Sequence, residues 1–126
     1  MSVKKNKKQK TKTTLLLSDK QYKLLEPLLY RKGSRQRVML YLIAGGYTVG
    51  ELVKMKVTEL KALPLHHEIL VARDEMLEGL TASDQAFVYS NGQVIPHTYY
   101  YRLLRTTGKN ATGTSWSQEM LREYIR

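Results

Sequence analysis

The sequence predicts a mainly α fold: a compact helical domain with at most a short β-hairpin, plus a disordered basic N-terminal tail. Three features predict it. Helix-start signals stand at Ser18, with Gln21 three residues on, and at Ser117. Apolar residues succeed them at three- and four-residue spacing. A single strong tight-turn dipeptide, Asn91-Gly92, lies between two short extended stretches.

Residues 1–14 hold Lys4, Lys5, Lys7, Lys8, Lys10 and Lys12 without one acidic residue. A Lys/Asn/Gln/Thr segment of this kind buries too little apolar surface to fold, so disorder is expected there. Residues 15–126 are expected to form one helical domain. After Ser18, Tyr22, Leu25, Leu28 and Leu29 mark a first helix that Pro27 kinks or divides. Gly33-Ser34 breaks the chain. A second helix is expected over 35–44 with Val38 and Leu42 on its buried stripe, ended by Gly45-Gly46. A third runs over 49–55 and pairs Leu52 with Met55, with a turn at 57–60. Pro64 opens a fourth helical stretch whose core residues are Ile69, Leu70, Met76 and Leu77. Residues 86–89 and 94–96 flank the tight turn. A helix over 98–107, a Gly/Thr/Asn-rich loop over 108–114 and a last helix over 118–126 complete the chain.

Composition narrows the function. Of 126 residues, 21 are Lys or Arg and 11 are Asp or Glu, a formal net charge of +10. There is no cysteine, which excludes disulfides, thiolate metal sites and thiol nucleophiles. The apolar run at 38–49 is too short to span a bilayer, and no signal-peptide core succeeds the opening lysines, so a cytoplasmic location is expected. His66, His67 and His97 show no metal-ligand spacing, and no phosphate loop or nucleophile elbow occurs. No cofactor and no active site are expected.

The basic residues cluster. Beyond the tail, Arg31, Lys32, Arg35 and Arg37 crowd the stretch RKGSRQR, and Arg102, Arg105 and Lys109 stand between His97 and Trp116 with no carboxylate among them. Acids gather instead between Glu68 and Asp84, facing only Arg73, which suggests one basic and one acidic face. Three consecutive tyrosines, Tyr99, Tyr100 and Tyr101, adjoin Arg102. Successive helical residues point about 100° apart, so at least one of the three must be exposed. Tyrosine beside arginine suits base stacking with phosphate contact, each stacked base being worth about 1–3 kcal/mol. Packing inward is the competing role for the same rings. Trp116 is a further stacking candidate. A helix through this stretch puts Tyr101 and Arg105 on one face with Leu103 and Leu104 toward the core.

The run VMLYLIAGGYTVGELVKMKVTEL resembles the heart of the tyrosine recombinase (phage integrase) catalytic domain, an apolar helix before Gly-Leu-Arg-x-x-Glu-Leu and Leu-(Arg/Lys)-Trp-x-Asp. Gly46, Glu51, Leu52, Met55, Lys56 and Glu59 fall at the matching positions. Upstream, LSDKQYKLLEPLL is similar to the family's first helix, with Arg37 near its usual basic position. Downstream, Pro64-Leu65, AFVYSNGQVIPHTYYYRLLR and SWSQEMLREYIR resemble its later segments, the last of them its His-x-Leu-Arg helix. The resemblance covers residues 15–126 and implies a recombinase-core-like fold that contacts DNA. The family's first catalytic arginine aligns with Thr48, its histidine with Glu119, and its second arginine with Arg122. The hairpin carrying the catalytic lysine is missing, and Tyr124 comes too soon after Arg122 to be the nucleophile. The resemblance therefore implies a relative that does not cleave DNA.

These observations together lead to the expectation of a non-enzymatic DNA-binding protein, sequence-nonspecific and favouring single strands, serving a phage or mobile element. It would place the six tail lysines and the clustered arginines, Arg122 included, on phosphates, with the tyrosine cluster adding stacking. In size and charge it is also similar to phage single-stranded-DNA-binding cofactors of RNA polymerase. Two alternatives stand beside this: a duplex-binding recombination or repressor accessory factor, and an adaptor of a polymerase or ribosome acting through the acidic stretch. A homo-oligomer is compatible with each.

Overall fold

The computed structural model describes residues 15–126; the six tail lysines lie outside the described residues. Helix α1 (Asp19–Leu25) starts at the expected box, with Gln21 N donating to Ser18 Oγ over 3.1 Å and Ser18 N to Gln21 Oε1 over 3.0 Å. Pro27 does divide the first helical stretch: the α-helix stops at Leu25 and a 3-10 turn, Glu26–Leu29, takes over.

Helix α2 (Ser34–Ala44) departs from the expected stripe. All seven residues from Val38 to Ala44 are buried, so α2 is the central helix and has no solvent face along that length. Its stretch VMLYLIA contains no charged residue, which removes the periodicity that would reveal a face. Both α5 (His67–Met76) and α7 (Gln118–Ile125) pack against α2. Helix α5 starts three residues after Pro64. Ile69, Ala72 and, just past the helix end, Leu77 are buried, whereas Leu70 and Met76 are only partly covered.

Helix α3 (Val49–Lys54) begins at Thr48, whose Oγ1 accepts from Glu51 N while Thr48 N donates to Glu51 Oε1. The expected turn after it is instead a short helix, α4 (Val57–Lys61), started by Glu59 reaching back to Lys56 N over 2.8 Å. The hairpin is reduced to one isolated bridge, Val88 with Val94. A second, Lys56 with Gln85, ties the residue before α4 to the chain ahead of the hairpin, and no strand forms among the described residues. Tyr89 N donates to Gln93 O (2.8 Å) around the Asn91-Gly92 turn.

Helix α6 (His97–Thr112) runs five residues past its expected end. Gly108, expected to open a loop, is buried inside the helix. A Cβ there would stand 2.4 Å from Trp116 Cγ and 2.5 Å from the Thr114 carbonyl oxygen, so only glycine lets the indole cross the helix. The true stop is Gly113, at φ 81. Helix α7 is capped by Ser117 Oγ, as expected, and buries Leu121 and Ile125. No helix among the described residues is long and apolar enough to cross a membrane.

Candidate nucleic-acid interface

The connection from the 3-10 turn to α2 is tightly held. Tyr30 N donates to Pro27 O (3.4 Å), Lys32 N to Leu29 O (3.1 Å), and the Arg37 guanidinium Nε to Lys32 O (3.0 Å). These bonds push Arg31 into the left-handed region at φ 66, which costs a non-glycine residue roughly 1–2 kcal/mol. Tyr30 is thereby driven outward, 73% exposed, with the Arg31 guanidinium 5.4 Å from the centre of its ring. A large aromatic held in water beside a cation is spared from the core at a cost in buried area.

Helix α6 supplies the opposite wall. Tyr99, Arg102, Thr106 and Asn110 succeed one another at three- and four-residue steps and lie along one flank. The Tyr99 hydroxyl accepts from Gln36 Nε2 on α2 over 3.1 Å, which fixes the ring, and the rings of Tyr89 and Tyr99 meet edge to face. Between this flank and the Tyr30–Lys32 turn runs an open groove of about 450 Å³. The two basic clusters, some 70 residues apart in sequence, therefore meet in one place. Burial at this site holds the Lys32 ammonium below its ordinary pKa, so a phosphate arriving there gains a partly desolvated cation as its partner.

The sequence candidates separate clearly. Arg31, Lys32, Tyr99 and Arg102 line the groove. Arg35 lies in an adjoining hollow with Ser34, Glu75 and Tyr99, where the Ser34 hydroxyl bonds the Glu75 carboxylate. Arg37 is engaged by the Lys32 carbonyl. Tyr100 is wholly buried and meets Phe87 edge to face; burial pushes its phenol up, Arg35 opposing, and its hydroxyl has no partner among the described residues. Trp116 is only 8% exposed, wedged over Gly108 with its ring 4.9 Å from that of Tyr124. Neither ring can stack on a base where it stands, a correction that comes from core packing. Tyr101 and Arg105 are exposed as expected, but two residues on from Tyr99 is about 200° around the helix, which places them on the other flank. Lys109 is exposed.

Arg122 is not free to meet a phosphate. Its Nε donates to Ile43 O and its terminal nitrogen to Tyr47 O, each over 2.9 Å, so the guanidinium closes the carbonyl end of α2. Thr48 is likewise engaged as the cap of α3, and Glu119 is exposed in the first turn of α7. Most carboxylates of the acidic stretch are engaged by partners within the described residues. Glu68 accepts from the Tyr22 hydroxyl (2.8 Å), Glu75 turns to Ser34 beside Arg35, Asp74 pairs with Arg73, and Asp84 accepts from Thr81 N. Among the described residues no three His, Asp or Glu side chains gather as metal ligands.

Sequence reading missed Tyr30. It stands directly before Arg31-Lys32, the same aromatic-beside-cation signal that singled out Tyr99–Arg102. The groove residues Gln36, Thr106 and Asn110 carry no such signal.

The helix order, with the capped α3, the bridged turn and the Arg122 helix in sequence, defines a recombinase-like fold. Among solved structures it is similar to the crystal structure of XerA recombinase, with a TM-score of 0.63 and 19% sequence identity over 90% of this chain. The match spans 50% of that chain, so this chain corresponds to about half of it. No family model matches the sequence, and no curated protein matches it.

Proposed function

We propose that the protein is a non-enzymatic DNA-binding protein that holds single strands across the groove between the Tyr30–Lys32 turn and α6. The observation that carries this reading is the meeting of two exposed or half-exposed tyrosines with three cations from separate parts of the chain in one open groove. Arg31, Lys32 and Arg102 suit phosphates, and Tyr30 and Tyr99 offer π-faces that any unpaired base can use. A closed duplex keeps its bases stacked internally and gains little from such faces. The likeness to a recombinase adds support for DNA as the partner.

The test compares wild type, Tyr30→Ala and Arg102→Ala on single-stranded and duplex oligonucleotides of equal length across a salt series. Tyr30→Ala is expected to weaken single-strand binding by about 1–3 kcal/mol while leaving the salt slope unchanged. Arg102→Ala should flatten the slope of log K against log salt by about 0.7 on single strands. Equal affinity for duplex, insensitive to Tyr30, would replace this reading with duplex binding.

Absence of strand chemistry belongs to the same proposal. Strand cleavage needs cations placed around the scissile phosphate and a nucleophile, whereas Thr48 and Arg122 are both engaged in capping backbone groups. Supercoiled plasmid incubated with the protein and a divalent metal should keep its topology. Relaxation abolished by Tyr124→Phe would overturn the assignment.

A further inference from the structure

A second and larger groove, about 950 Å³, lies on the far side of Tyr30. Its walls come from α1, the 3-10 turn and α5. Leu29, Ile69 and the half-exposed Val71 make it partly apolar. Its charge is opposite to that of the first groove. Glu26 and Glu68 line it, and Asp19 stands outside the lining in the first turn of α1, one turn before Tyr22. Asp19 is bonded to His66 and Glu68 to Tyr22, whereas the Glu26 carboxylate has no hydrogen bond or ion pair with any described residue. Arg37 is the one arginine in the lining, and its Nε is turned to the Lys32 carbonyl.

We infer that this groove is the docking site for the chain's own lysine-rich segment, residues 1–12, and that the docked segment is released when nucleic acid competes for its lysines. The inference rests on the reading of the protein as a single-strand binder only for its second half. Three observations carry it. The described chain begins close to the start of α5, one wall of the groove: Leu16 N donates to Pro64 O, three residues before His67. Fourteen residues precede Leu15, enough to reach about 45–50 Å when extended, several times the span of one groove. The segment's chemistry is complementary, with six lysines for the carboxylates and Met1 and Val3 for the apolar floor. Attachment at the groove's edge gives the segment an effective concentration near the millimolar range, so weak ion pairs suffice to populate the contact. A phosphate backbone offers denser negative charge than the groove's two carboxylates and takes the lysines away.

Two measurements on the full chain test this. Zero-length carbodiimide coupling in the absence of DNA should join a lysine of 1–12 to Glu26 or Glu68 within one chain, and added single-stranded DNA should suppress the link. Links found solely between chains, or no link at all, would overturn the docking, whatever the DNA result. The second is a double-variant cycle on single-strand affinity at low salt. Glu26→Gln should raise affinity about two- to five-fold, the size of one exposed ion pair. In a chain whose Lys7, Lys8 and Lys10 are changed to Gln, the same Glu26→Gln should bring almost no gain. An equal gain in both backgrounds would reduce the effect to general charge and sink the competition. Loss of all DNA binding in wild type would instead remove the proposed function while leaving the cross-link result standing.

Discussion

Gly108→Ala should lower stability by about 3 kcal/mol, the upper end of what inserting an atom into a packed core costs. The sign is opposite to the ordinary one, since alanine normally favours a helix interior by up to about 1 kcal/mol over glycine. Here the added methyl would meet Trp116 Cγ at 2.4 Å and the Thr114 carbonyl at 2.5 Å. The indole cannot yield, because it is buried and flanked by Tyr124, and the carbonyl belongs to the backbone. Thermal unfolding should show a melting temperature lower by more than about 10 °C. A stabilised protein would mean that Trp116 does not lie across α6.

Arg122→Ala is the second large effect. The guanidinium holds two backbone carbonyls at the end of the central helix, Ile43 and Tyr47. Hydrogen bonds from a charged donor are worth about 1.5–3 kcal/mol each. The Tyr47 carbonyl would lose its partner, while the Ile43 carbonyl would keep only Gly46 N. A loss of about 2–4 kcal/mol in denaturant unfolding is expected. Arg122→Lys should recover little, because an ammonium does not reproduce the forked geometry that serves two acceptors. Single-strand affinity measured well below the melting temperature should change less than in Arg102→Ala. A variant of normal stability and strongly impaired binding would return Arg122 to the nucleic-acid interface.

The two arginines show where sequence reading succeeds and where it stops. Both stand on helices directly beside a leucine; the basic cluster points Arg102 to DNA contact, and the recombinase resemblance points Arg122 there. Arg102 lies on the flank of α6 that faces the Tyr30–Lys32 turn, and Arg122 lies on the side of α7 that faces α2. Nothing local distinguishes them, since the difference is made by elements 70 to 80 residues away. Capped starts were legible because a cap is a local device: Ser18 with Gln21 and Ser117 each begin a helix where expected. The reach of α6 was not, because glycine and threonine in residues 107–114 carry turn propensity that the Trp116 contact overrides. The tyrosine triplet was half legible. Its geometry required at least one exposed ring, yet it could not say that the Tyr99 flank, rather than the Tyr101 flank, would face the Tyr30–Lys32 turn. The groove itself was invisible for the same reason as Arg102's role, although Tyr30 carried the right local signature.

The burial of α2 on every side bears on how the chain is made. A helix whose residues from Val38 to Ala44 all face protein cannot be covered by its sequence neighbours alone. Its partner α5 is synthesised some 30 residues later, and the arginine that closes its carbonyl end arrives 79 residues after Ile43. At ordinary elongation rates of about 5–20 residues per second, the nascent segment spends several seconds as a bare apolar stretch. Until α7 emerges from the ribosome, the stretch VMLYLIA is a surface that chaperones can grasp and neighbouring nascent chains can stick to.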